Sequence, residues 1–286
     1  MRHEARTASL VLVAALLGAC ATGQTRMARA LDPSMERVLV AESYLGTVTG
    51  VSSHPERLMR SDGYVYVADV APVMRYYAER GDTAPYLALR RYLVANLTRR
   101  QETGVELARR YRAGQSFEPA APSGYFWARK ALVQGWQNLG DTTSAVVLAQ
   151  MVASGSAEAS AGSALQSLAL ACADALELLP GDAAPARATL ARGRELVGRR
   201  HAPVASKLGG AEGEVDLLSC LTRAGVALDD PDASVRYLDR MLDILSPIQS
   251  RSGRTDLGTG ADVLLTLHTV RQAGPAWSRP GGPYGR

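Results

Sequence analysis

The side chains of this sequence best suited to chemistry are aromatic and acidic, and they gather near the starts of apolar helical stretches. Tyr64 and Tyr66 open one such stretch; Tyr125, Phe126 and Trp127 open another, with Trp136 farther along it. Sugar rings stack on aromatic faces, so Tyr64, Tyr125 and Trp127 are candidates for lining a glycan groove. The same residues at helical spacing equally suit a packed core. Asp69 falls within the first apolar stretch, where a buried carboxylate needs a partner or a function; it is a further binding candidate. Asp62-Gly63 reads as a turn whose carboxylate caps the next helix, and Asp262 complements the dipole of a last helix. Other chemistries find no pattern. His3, His54, His201 and His268 are isolated and no Cys-x-x-Cys occurs, so no metal site is expected. There is no Gly-x-Ser-x-Gly elbow, Walker loop or dinucleotide fingerprint, and no cofactor is expected.

The elements that must position these residues are helical hairpins. From Tyr64 to Arg80 the chain is apolar on nearly every side until its last turn; from Thr83 to Leu97, Tyr86, Leu89, Leu93 and Leu97 recur at helical spacing on one face. Gly81-Asp82 between them suits a helix stop followed by a helix start, the Asp or Thr accepting free N–H groups of the next turn. A helix buried all round followed by a one-sided helix implies an inner and an outer layer. The pattern returns at 124–154 around Gly140-Asp141, at 163–197 around Gly181-Asp182, and at 214–245 around Asp229-Asp230. An extra helix stands at each end, from Ser34 to about Tyr44 and from Ala261 to Arg271. A short helix is expected near 105–111, and strand character only at Val65-Tyr66-Val67. Inner limbs begin near Tyr64, Gly124, Ser163, Glu214 and Ala261, at uneven intervals. Tetratricopeptide arrays repeat at about 34 residues because each unit stacks on an equivalent neighbour. The uneven spacing favours an all-α toroid of helical hairpins over a tetratricopeptide-like helical stack.

The N-terminus reads as an address. Arg2 and Arg6 precede an apolar run, Ala8 to Ala19, too short for a stable membrane span. The run ends in Leu17-Gly18-Ala19-Cys20, which resembles the lipobox of bacterial lipoproteins. That resemblance implies removal of residues 1–19 as a signal peptide, lipidation of Cys20, and, with Ala21 rather than Asp following, sorting to the outer membrane. Several acyl chains hold far more firmly than one. Residues 20–33 then form a tether, 34–273 a single helical-hairpin domain, and 274–286 a disordered tail rich in Gly and Pro. The net charge is +4, with basic residues scattered in pairs such as Arg90-Arg91 and Arg199-Arg200. Nucleic-acid binders gather such residues in one stripe; here they read as solvated helix faces. Cys172 and Cys220 lie in apolar helical runs, where two buried free thiols are favoured over a disulfide.

One segment carries a second resemblance. Gly46-Thr47-Val48, a loop, and Ser61-Asp62-Gly63-Tyr64 opening an inner helix resemble the start of family 8 glycoside hydrolases, six-hairpin (α/α) toroids that cut β-1,4-glucans. In that family Ser-Glu-Gly-x-Gly-Tyr supplies the general acid. Ala121-Pro122-Ser123-Gly124-Tyr125 stands where the family has Ala-Ser-Asp-Ala/Gly-Asp, and Gly260-Ala261-Asp262-Val263 where a late helix supplies the base. The resemblance implies Asp62 as acid and Asp262 as base of an inverting pair, which must stand about 6.5–9.5 Å apart across the scissile bond. Asp62 is one methylene shorter than the family's Glu, and an ångström of misplacement can cost about a hundredfold. Both acidic residues of the second motif are missing, leaving Ser123 and Tyr125, and Leu264 and Leu265 stand where the family has an Arg.

The expected function is therefore that of an outer-membrane-anchored periplasmic lipoprotein whose toroid binds or hydrolyses a polysaccharide, a divergent and degenerate glycoside hydrolase-like protein. The alternative is a scaffold lipoprotein contacting other envelope proteins. A closed ring with a lined cavity discriminates the first from the second.

Overall fold

The computed structural model describes residues 26–48, 51–151, 164–179, 181–198, 212–249 and 257–275. The fold is all-α, with two small strand pairs. In chain order the helices are α1 (Met35–Val48), α2 (Val67–Arg80), α3 (Thr83–Asn96), α4 (Pro122–Leu139), α5 (Thr142–Gln150), α6 (Ala164–Leu178), α7 (Ala184–Gly198), α8 (Glu212–Ala227), α9 (Pro231–Gln249) and α10 (Leu257–Ala273). Short strands are β1 (Val65–Tyr66), β2 (Thr98–Gln101), β3 (Gly104–Leu107) and β4 (Arg110–Tyr111).

The inner and outer layers follow the expected limbs. α2 buries residues on every side, including Val67, Val70, Val73, Met74 and Ala78, whereas α3 buries only Tyr86, Leu89 and Leu93. α10, buried from Thr259 through Leu267 except Asp262, is likewise an inner helix. Around the interior, α4 packs on α2, α2 on α10, α10 on α8 and α8 on α6. Between α6 and α4 the circuit is completed by Lys130, whose ammonium pairs with Asp174 and, at 2.7 Å, with Glu177. α3, α5, α7 and α9 each lie outside the inner helix they follow, and α1 covers α10 and α9. The first and last helices thus make the remaining hairpin. The described residues hold five inner helices, not the six of the family 8 toroids.

Turn chemistry explains the hairpins. Gly81 (φ 78°) and Gly140 (φ 66°) end α2 and α4 in the left-handed region. There the next amide reaches back, Asp82 N–H to Tyr77 at 2.9 Å and Asp141 N–H to Gly135 at 3.2 Å. Asp82 and Asp141 do not cap the following helices, contrary to expectation. Asp82 pairs with Arg80, and Asp141 accepts Arg90 and the Ser144 hydroxyl. Side-chain capping occurs at the later turns, where Asp182 accepts Ala184 N–H at 2.9 Å and Asp230 accepts Ala233 N–H at 3.0 Å.

Three departures refine the sequence reading. Helical structure begins at residue 26, ahead of Ser34, because Met27 and Leu31 bury themselves against the core. The expected helix near 105–111 is strand: β3 pairs with β2, and β4 with β1. Its burial alternates, Val105 and Leu107 inward and Glu106 outward, over too few residues to register as a period-2 pattern. Cys172 and Cys220, expected as free thiols, form a disulfide joining α6 to α8 across a Cα–Cα distance of 6.1 Å. Cys20 and residues 276–286 lie outside the described residues. No described helix is long and apolar enough to cross a membrane.

Candidate functional site

All five inner helices present their N-terminal turns to one cavity of about 230 Å³. α2 contributes Ala68, Pro72 and Arg75; α4 Ser123, Gly124 and Trp127; α6 Gln166; α8 Asp216; α10 Gly258, Thr259 and Asp262. Ala68, Ser123 and Gln166, from first turns, are exposed, while Arg75 is buried. The cavity therefore opens at the N-terminal end of the ring and is floored deeper in. Pro72 has no amide hydrogen to give the Ala68 carbonyl one turn back, leaving an acceptor in the helix wall that the cavity shares.

Arg75 and Asp262 of the lining belong to a four-charge ring. Arg75 Nε donates to Glu79 at 2.6 Å, and its Nη1 lies 3.4 Å from Asp262 Oδ1. Arg223 Nη2 donates to the same Asp262 oxygen at 2.9 Å, and its Nη1 stands 3.6 Å from Glu79. Two guanidiniums and two carboxylates alternate, each cation touching both anions. Burial works against the charge of Arg75, but Glu79 and Asp262 outweigh it and raise its pKa. Arg223 is less well served: burial lowers its pKa, and its Nε has no acceptor among the described residues. The Arg75 guanidinium also lies 5.6 Å from the Trp127 ring centre. Asp262, 11 % exposed, is thus a carboxylate in the wall held by two arginines.

Of the residues singled out from the sequence, the cavity brings together Asp262 and Trp127. Asp62 is exposed in the loop before β1, outside the lining. It accepts the Tyr66 hydroxyl at 2.6 Å and the Tyr64 amide at 3.0 Å, and these bonds lower its pKa. Asp69 is buried, clamped by Arg60 through two bonds of 2.7 Å. Tyr125 is core, its hydroxyl accepting Leu107 N–H at 2.8 Å. Tyr64 is half-buried immediately ahead of β1. The sequence reading missed Arg75, Arg223, Glu79 and Asp216. The signal that flagged Asp69, a charge inside an apolar limb, was equally present in Val73-Met74-Arg75-Tyr76 and Cys220-Leu221-Thr222-Arg223.

No protein-family model, curated protein or solved structure matches this chain.

Proposed function

We propose that the chain is an outer-membrane-anchored periplasmic lipoprotein whose helical ring binds a segment of polysaccharide in its central cavity. The observation that carries the reading is a solvent-open cavity lined by every inner helix among the described residues, with one indole, two carboxylates, the Arg75 guanidinium and several neutral polar groups converging on it. A pocket of this size suits about one sugar ring, with Trp127 as the stacking face and Asp216, Gln166, Thr259 and Ser123 as hydroxyl partners. The lined cavity favours this over an open scaffold surface. The Cys172–Cys220 disulfide suits an oxidising compartment such as the periplasm, in keeping with the Leu17-Gly18-Ala19-Cys20 signal.

Binding is better supported than hydrolysis. A general acid needs a raised pKa beside the scissile bond, whereas Asp62 is exposed, outside the cavity lining and lowered in pKa. The test is titration of the full chain, extracted in detergent, with soluble neutral β-glucans such as hydroxyethylcellulose and cello-oligosaccharides. Binding weakened at least about tenfold by Trp127→Ala, with no reducing sugar released, is the expected result; saccharide binding indifferent to Trp127 refutes the cavity. Sugar release lost in both Asp62→Asn and Asp262→Asn would restore the hydrolase. Cys20→Ser is expected to move the protein from the membrane to the soluble fraction; retention in the membrane would exclude Cys20 as the anchor.

A further inference from the structure

Beside the cavity mouth, the β1–β4 ribbon and the residues flanking it carry alternating arginines and tyrosines. The Arg60 guanidinium lies 4.4 Å from the Tyr66 ring centre and that of Arg110 6.0 Å from the same ring. Arg110 lies 4.3 Å from the centre of Tyr64, and Arg112 5.7 Å from it. The order Arg60, Tyr66, Arg110, Tyr64, Arg112 forms a ladder of cation–π contacts. It is rigidly built. Arg110 Nη1 donates to the Tyr66 hydroxyl at 3.3 Å, the Tyr66 hydroxyl donates to Asp62, and the ribbon is held by the pairing of Val65 with Tyr111 and Tyr66 with Arg110.

The ladder keeps a positive excess. Arg60 is matched by buried Asp69, Arg109 and Arg110 share the carboxylate of Glu118, and Asp62 adds one more carboxylate near Arg110 and Arg60, so with Arg112 four guanidiniums face three carboxylates. Arg112 is exposed at the ribbon's edge. Guanidiniums already stacked on rings are fixed in place and keep N–H donors at their edges, the arrangement that binds carboxylate, sulfate or phosphate bidentately. The ladder is also continuous with the cavity: β1 runs directly into α2, whose Ala68 lines the mouth.

We propose that the ribbon is a docking surface for an acidic polysaccharide, Arg110 and Arg112 holding anionic groups of the sugars that lie just outside the cavity. The inference rests on the saccharide-binding reading and narrows it from polysaccharides in general to polyanionic ones. Acid groups meet the exposed arginine edges while the ring faces remain for the adjoining cavity and its Trp127.

The test is affinity electrophoresis of the full chain through gels containing polygalacturonate or its neutral methyl ester. The expected result is retardation by the acid polymer at least about tenfold stronger than by the ester, weakened by 0.3 M salt as an electrostatic contact must be. Arg110→Gln/Arg112→Gln should remove the preference. Arg112→Gln alone, which disturbs no carboxylate pair described above, should reduce it several-fold with an unchanged helical spectrum. Equal retardation by both polymers, retardation by neither, or variants that bind like wild type would overturn the proposal. So would an oligonucleotide of equal charge competing as well as polygalacturonate, which would make the ladder a nucleic-acid surface. The two readings fail separately: neutral-glucan binding that depends on Trp127 without acid preference sinks only the ladder. Acid preference that depends on Arg112 but not on Trp127 sinks only the cavity.

Discussion

At the scale of single residues, Asp262 decides most. It neutralises two buried guanidiniums at once, and buried ion pairs are costly to break because the partner left behind cannot be rehydrated. Asp262→Asn is therefore expected to destabilise the fold by about 3 kcal/mol in urea unfolding. Asp62→Asn, at an exposed loop position, should cost far less; comparable losses for the two would contradict the buried-ring account. His268 gives a second test at this scale. Burial lowers its pKa from the ordinary value, and the cations of Arg80 and Arg271 add to this against the weaker pull of Asp82 and Glu79. Below about pH 6.5 the unfolded chain binds a proton that folded His268 refuses, so stability falls as pH drops through that window and holds above it. His268→Gln should flatten the change in urea midpoint between pH 5.5 and 7; an equal slope in the variant would place its origin elsewhere.

Among the elements, two contacts set the spacing of neighbouring helices. A Cβ on Gly135 of α4 would stand 1.8 Å from the Tyr86 hydroxyl of α3, which is itself held at 2.6 Å from Ser144 of α5. Gly135→Ala must push apart three helices and is expected to cost about 3 kcal/mol and lower the melting temperature by several degrees. A neutral result would mean that Tyr86 can leave its slot freely. The Cys172–Cys220 disulfide ties α6 to α8 across a sequence separation of 48, for which chain entropy predicts about 4 kcal/mol, with measured bonds usually giving 2–4. Reduction should shift unfolding accordingly, and Cys172→Ser should remove the sensitivity to reductant.

For the whole molecule, the consequence of the ring is that no single hairpin owns the cavity. Trp127, Gln166, Asp216 and Asp262 come from four different inner helices, so a change in ring closure should be read out as binding. Lys130 is the test, because its pairs with Asp174 and Glu177 bridge α4 to α6. Lys130→Met leaves Glu177 unpaired and is expected to cost about 2 kcal/mol while weakening saccharide binding. Stability lost with binding intact would show that the seam does not position the cavity wall.

The helices themselves were legible in the sequence because each is a local matter: apolar residues recur every third or fourth position, and Gly-Asp pairs mark the stops. The inner and outer character of each limb was legible for the same reason, since burial on all sides leaves no polar stripe. Of the short strands only β1 was flagged, at Val65-Tyr66; β2 to β4 were not, as two to four residues are too few to show a period. The cavity depended on the tertiary structure alone. Which carboxylate meets which guanidinium is set by the circuit of helices, and Arg75 and Arg223 stand far apart in sequence but share Asp262. Asp62 and Asp262 looked equivalent as acids opening apolar helices. Closure of the ring put Asp262 against two buried cations, while the β1–β4 pairing held Asp62 in the exposed loop ahead of it. Local periodicity determined the elements; only their long-range packing, which sets burial and therefore charge, determined the site.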